Sequence, residues 1–186
     1  MINAGELRSG TTMERNGQLW EVLTFEHVKL GRGTAVVRTR LKNITTGSVT
    51  EETFRPEERF ARARIERVDV QFLYRDGEHF VVMDSTSFDQ YPLDESQFAE
   101  AARYVRESDH LFVLQYDGKV IGVELPITVE LDVAQTDPGF KGDTATGGSK
   151  PATLDTGVVV DVPLFVEVGD RLKIDTRTGK YLERVQ

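Results

Sequence analysis

Cysteine is absent from the 186 residues. That excludes disulfides, thiolate nucleophiles and zinc–thiolate sites together. Histidine is nearly as scarce: His27, His79 and His110 stand singly, at no spacing that makes a metal site. No apolar run approaches the ~20 residues of a membrane span, and no charged-then-apolar leader opens the chain. The expectation is therefore a cytoplasmic protein with no membrane partner, no metal and no cofactor. Acidic residues are plentiful in the middle of the chain, but none sits with a nucleophile and a base in a recognisable arrangement. An enzyme is not expected. Nothing is lacking for folding, since 39% hydrophobic and 29% charged residues describe a globular chain rather than a disordered one.

A second absence is local. Between Glu26 and Glu51 there is no Asp or Glu, although the formal net charge is -8. The same window holds Lys29, Arg32, Arg38, Arg40 and Lys42. Its charge belongs to a wider gradient. Residues 1–64 carry 11 Lys+Arg against 8 Asp+Glu, residues 65–127 carry 5 against 13, and residues 128–186 carry 7 against 10. A basic first third on an acidic remainder points to one end that meets an anionic partner; chance variation along an acidic chain gives the same counts.

The pattern along the chain is that of short strands. Asn16-Gly17 precedes Leu19–Val28 as a hairpin signal. Lys29-Leu30-Gly31-Arg32-Gly33-Thr34 then turns the chain into Val36–Asn43, and Val49–Phe54 follows Thr46-Gly47. On Val36–Asn43 the period of two puts Arg38, Arg40 and Lys42 on one face and Val37, Thr39 and Leu41 on the other. Arg55–Phe60 is expected to add one helical turn behind Pro56. In the middle, Ile65–Tyr74 and Phe80–Asp84 read as strands. Asp94 with Gln97 opens a helix whose Phe98, Ala101, Ala102 and Val105 share a face. Leu111–Tyr116 and Val120–Leu125 follow, a sequence that suits a Greek-key barrel of the OB type. Thr128–Ala134, Gly157–Val162, Arg171–Asp175 and Tyr181–Val185 repeat the pattern. The expected fold is all-β, with three small β-barrel domains at 1–64, 65–127 and 128–186.

Two loops carry functional interest. In Lys29–Thr34 two glycines flank Arg32, so the turn accepts backbone angles closed to other residues and no bulky neighbour crowds the guanidinium. Arginine offers five donors in a planar fork suited to phosphate and base edges; an exposed loop arginine is otherwise a solubilising charge. The loop 137–150 holds four glycines, and Gly142–Ser149 approaches a phosphate-binding P-loop. Gly148 stands where that motif needs lysine, and Pro151 follows where a helix should begin, so nucleotide hydrolysis is excluded. A loop whose amides and Thr144 hydroxyl meet phosphate or sugar remains open, beside a plain solvent-exposed connection.

Over essentially its whole length the sequence resembles bacterial elongation factor P. The specific match is Lys150-Pro-Ala-Thr-Leu-Asp-Thr-Gly157-Val-Val-Val-Asp-Val-Pro163-Leu-Phe165-Val-Glu-Val-Gly169, continuing to Asp175-Thr-Arg-Thr-Gly179. The tip loop and the Gly142-Asp143-Thr144 element match as well. The resemblance implies a KOW/SH3-like N-terminal barrel followed by two OB barrels, arranged as an L-shaped tRNA mimic. It also implies a monomeric translation factor that binds the 70S ribosome and its rRNA between the P and E sites. Its action is to stimulate peptide-bond formation at consecutive prolines by positioning the P-site peptidyl-tRNA. By the same resemblance Arg32, with Gly31 and Gly33, sits near the tRNA CCA end. Lys29, Arg38, Arg40 and Lys42 contact RNA, and Gly142, Asp143 and Thr144 approach the mRNA codon in the E site. Many members carry Pro-Gly-Lys-Gly at the tip, with a lysine that receives a β-lysyl-type extension; arginine here excludes that chemistry. Arginine-bearing relatives are either rhamnosylated by a modifying enzyme acting at that position or, with a Lys-Leu-Gly-Arg-Gly loop, unmodified. The expectation for Arg32 is the unmodified form. The rival reading is a general single-stranded RNA-binding OB-fold protein, which needs exposed aromatics on a basic groove.

Overall fold

A computed structural model describes residues 1–29, 31, 33–98, 100–139 and 148–185. The described chain is mostly β, in three antiparallel sheets. It divides into two compact units, Met1–Arg67 with Leu114–Gly122 and Val68–Val113 with Val123–Gln186.

The first sheet contains β1 (Ile2–Asn3), β2 (Thr12–Arg15), β3 (Gln18–Val28), β4 (Val36–Asn43), β5 (Val49–Phe54) and β6 (Arg59–Arg62), in the order β1-β6-β2-β3-β4-β5. Asn16 and Gly17 both take positive φ (54° and 71°) in the two-residue loop between Arg15 and Gln18, as the Asn-Gly signal requires. A register shift between Val22 and Thr24 bends the long β3, which lets the sheet curl around its core. That core is Leu7, Met13, Val22, Val37, Leu41, Phe54 and Phe60, with Trp20 and Phe25 packed against it. Phe54 and Phe60 meet edge-on, 4.9 Å between ring centres. The helical turn expected at Arg55–Phe60 is instead a tight turn followed by a strand. The Glu58 amide donates to the Arg55 carbonyl, and the Arg55 amide donates to Glu58 Oε1 at 2.9 Å. Phe60, on β6, is then buried in the first core beside Phe54.

The middle sheet contains β7 (Glu66–Asp76), β8 (His79–Asp84), β9 (Gln90–Asp94), β10 (His110–Tyr116) and β11 (Lys119–Glu124), in the order β11-β10-β7-β8-β9. The single expected helix is shorter than its periodicity suggested. Residues Glu95–Phe98 form one α-turn (α1), and Ala101–Arg103 a separate 3-10 turn. The capping signal is real, since the Asp94 amide donates to Gln97 Oε1 at 3.0 Å. Phe98, Ala101 and Val105 are buried as their spacing predicts. Continuing the helix would not deliver Tyr104 to its site: Tyr104 is buried in the core of the third sheet with Leu131, Leu154, Leu172 and Ile174.

The third sheet contains β12 (Thr128–Thr136), β13 (Ser149–Leu154), β14 (Val159–Pro163), β15 (Arg171–Asp175) and β16 (Lys180–Val185), in the order β14-β13-β12-β15-β16. Arg106 ties it to the middle sheet within the second unit. Its guanidinium donates to Asp155 Oδ2 at 3.1 Å and to the Glu130 carbonyl at 3.0 Å, while its own amide donates to Asp109 Oδ2 at 2.8 Å. Thr156 donates from Oγ1 to the Arg103 carbonyl at 2.7 Å. Among the described residues no helix is long and apolar enough to cross a membrane.

One carboxyl in this sheet sets an acid limit. Arg177 donates twice to Asp175, at 2.7 and 3.1 Å, and its backbone amide adds a third bond at 2.8 Å. The guanidinium bonds, then the amide, hold the Asp175 carboxyl down at about 2. Its folded value lies below its ordinary 3.8, so its contribution to stability is complete above that ordinary value and disappears as pH falls toward about 2. Asp175→Asn is expected to flatten that part of an acid unfolding curve and leave the curve above pH ~5 unchanged in shape. Circular dichroism against pH checks this.

Candidate nucleic-acid interface

The expected cationic hairpin is β3 paired with β4, from Trp20 opposite Asn43 to Val28 opposite Val36. That pairing runs about 26 Å at strand rise. Residues 29–35 close it. Lys29, Gly31, Gly33, Thr34 and Ala35 are exposed. Gly31 takes φ +52°, and a Cβ there would meet nothing within 4 Å, so backbone angle rather than crowding demands glycine. Arg32 and Leu30 lie outside the described residues, as do Gly142, Asp143 and Thr144.

Along β4 the alternation is complete. Val37, Thr39 and Leu41 are buried, and Arg38, Arg40 and Lys42 are exposed. The buried Thr39 hydroxyl satisfies itself by donating to the Glu52 carbonyl at 3.1 Å. The acid-free window of the sequence does not survive in space, however. Register places Arg38 opposite Glu26, Arg40 opposite Glu51, and Lys42 opposite Glu21. Directly opposed residues share a face about 5 Å apart, so the row is a mixed one. Thr24, Glu26, Arg38, Arg40, Glu51 and Thr53 line a groove of about 630 Å³ there. Sequence reasoning missed these carboxylates because it looked along the strand; the hairpin pairing it had already inferred contained the signal. Beyond the Glu26–Arg38 pair, the arm from His27 to Ala35 has no carboxylate of its own. The unopposed positive field therefore lies toward the tip.

On the inner side of the same arm, Arg8 stands over the Phe25 ring at 5.1 Å, and Phe25 meets His27 edge-on at 5.9 Å. This stack packs the arm against the first core.

The second unit brings together a set that sequence spacing could not show: Asp69, Ser85 and His110. His110 Nδ1 lies 2.9 Å from Asp69 Oδ1, Ser85 Oγ donates to the same oxygen at 2.8 Å, and Ser85 Oγ is 3.5 Å from the same Nδ1. A catalytic triad places the acid on one ring nitrogen and the serine on the other. Here both crowd one nitrogen, and the serine proton goes to the carboxylate. The His110 bond, then the Ser85 bond, hold the Asp69 carboxyl below its usual range, which suits an ion pair and not a base.

Comparison with known proteins settles the family. Models described as "Elongation factor P (EF-P) KOW-like domain", "Elongation factor P (EF-P) OB domain" and "Elongation factor P, C-terminal" match residues 3–60, 65–123 and 129–184. Elongation factor P of Carboxydothermus hydrogenoformans is 54% identical over 185 residues, covering 100% of each chain. That of Thermoanaerobacter sp. is 53% identical over the same span, again covering 100% of each chain. The chain belongs to the elongation factor P family. Elongation factor P is a translation factor family and not an enzyme family, consistent with the serine–histidine–aspartate geometry above. Among solved structures, "Eukaryotic translation initiation factor 5A from Methanococcus jannaschii" aligns at TM-score 0.50 and 20% identity, covering 66% of this chain and 92% of that one. A "Translation initiation factor eif-5a family protein" from Naegleria fowleri aligns at 0.51 and 17%, covering 67% and 96%. At such identity they share the fold, and the KOW-like and OB domains of elongation factor P account for it.

Proposed function

We propose that this member of the elongation factor P family acts in the cytoplasm as a monomer, binding the 70S ribosome between the P and E sites. There it relieves stalls at consecutive prolines by steadying the P-site peptidyl-tRNA. The observation that supports this most is the β3–β4 arm, a long paired hairpin whose described turn residues are exposed and which has no Asp or Glu from His27 to Ala35. Arg32 at its tip meets the CCA end without needing a modification. The catalytic gain is positional, because ordering the reactants removes an entropic part of a barrier whose chemistry belongs to RNA. Lys29, Arg38, Arg40 and Lys42 contact RNA phosphates, and Gly142, Asp143 and Thr144 meet the mRNA codon in the E site. The functional domains are residues 1–64, 65–127 and 128–186.

Ribosome binding measured across salt concentration tests the RNA-contacting row. Each cation that meets a phosphate contributes roughly one to the slope of log affinity against log salt. Replacing Arg38 and Arg40 together by alanine is expected to lower that slope by about two. An unchanged slope would show that the facing glutamates Glu26 and Glu51 already satisfy the row.

A further inference from the structure

The described residues at the two ends of the β12–β13 connection, 136–139 and 148–151, are closely held. Lys150 is only 7% exposed, and an ammonium is seldom buried without partners. Its Nζ donates to the Asp137 backbone carbonyl at 2.6 Å, tying the returning end to the departing one. A second tie runs from Thr136 Oγ1 to the Pro151 carbonyl at 2.9 Å. Both ends also press on Leu164. A Cβ at Gly139 would collide with the Leu164 carbonyl oxygen, and one at Gly148 would come within 3.2 Å of Leu164 Cδ1. The turn that carries Leu164 is itself held. Asp170 Oδ2 accepts from the Glu167 amide at 2.9 Å and from Arg184 at 3.3 Å, and Arg184 stands over the Phe165 ring at 5.2 Å. Asp170 therefore joins the turn of Leu164 to β16 through the Glu167 amide and Arg184.

We propose that Lys150, Asp170, Gly139 and Gly148 are positioning residues that fix the spacing and direction of the two chain ends, Gly139 and Gly148, between which residues 140–147 run. The functional part of this inference rests on the reading of Gly142, Asp143 and Thr144 given above. The frame explains two small residues and one buried charge that the strands themselves do not require.

Native-state hydrogen exchange on the full chain tests the frame. Lys150→Met removes the donor and keeps the apolar stem; Asp170→Asn keeps the volume and removes the charge that meets Arg184 and the Glu167 amide, and decides the matter should Lys150→Met fail to fold. In either variant the amides of residues 148–150 and 164–169 are expected to exchange roughly tenfold faster, the effect of one lost buried hydrogen bond. Those of Leu172 and Ile174, held in the sheet core, should not change. No acceleration, or equal acceleration throughout the barrel, overturns the proposal. In translation of a proline-stretch reporter, Lys150→Met should raise the factor concentration for half-maximal rescue and leave the plateau, and Asp143→Ala should do the same. A shift with Asp143→Ala but none with Lys150→Met contradicts the positioning role. No shift with Asp143→Ala removes the codon reading, and the exchange result then judges the frame alone.

Discussion

Arg32→Ala should reduce synthesis through three consecutive prolines to near the level seen without the factor, while thermal unfolding stays where it was. The residue falls in the turn after the last hairpin pair, Val28 with Val36, and the described residues of that turn are exposed. Surface substitutions away from a core usually change stability by less than about 0.5 kcal/mol. Its functional weight comes from charge placement instead. Glu21, Glu26 and Glu51 sit beside the cations of β4 but not beside the turn. A guanidinium there keeps its full charge and its planar fork for an anionic or base-edge partner. Arg32→Lys retains charge and loses the fork, so partial rescue is expected. Paired measurements of reporter synthesis and unfolding midpoint check both halves; unchanged synthesis in Arg32→Ala would remove the tip from the mechanism.

Phe98→Ala should do the reverse, with a large loss of stability and no direct change at the tip. Phe98 is fully buried; its ring stacks on Phe80 at 4.4 Å and lies 5.3 Å from Phe72. It is also the last residue of α1, the one α-helical turn among the described residues, so it plugs the middle barrel from the connection between β9 and β10. Removing such a ring costs about 3–5 kcal/mol, from lost burial plus the cavity left behind. That is a large fraction of the ~5–15 kcal/mol that holds a domain together. The unfolding midpoint should fall by on the order of 10 °C. A fall of less than about 2 °C would mean that the barrel collapses around the gap and that the three rings are not its keystone.

Much of the fold was legible because the residues obey simple periodicities. The β4 alternation was readable from sequence to side-chain face, and Val49–Phe54 and Arg171–Asp175 fall where their patterns place them. What stayed hidden was of three physical kinds. Strands β9 and β13 contain Pro92 and Pro151, residues that argue against a strand; β9 tolerates proline as a sheet edge, and Pro151 lies past the end of β12's pairing. The helix after Asp94 obeyed its periodicity in burial but not in length, because Tyr104 is needed in the neighbouring core and Arg106 at Asp155 and Glu130. The third kind is cross-strand. The acid-free window from Glu26 to Glu51 was true along the chain and false across the sheet, where register restores three glutamates. The Lys150 frame belongs here too, since nothing near Gly139 or Gly148 in sequence names Leu164 as their neighbour.

The most direct test of the account is reconstituted translation of two reporters, one with three consecutive prolines and one without, supplemented with recombinant protein shown by intact mass to be unmodified. The account predicts faster synthesis of the proline reporter alone, with bare Arg32 sufficient. Ribosome binding without rescue would contradict the unmodified tip, and a failure to bind ribosomes at all would contradict the proposed function itself.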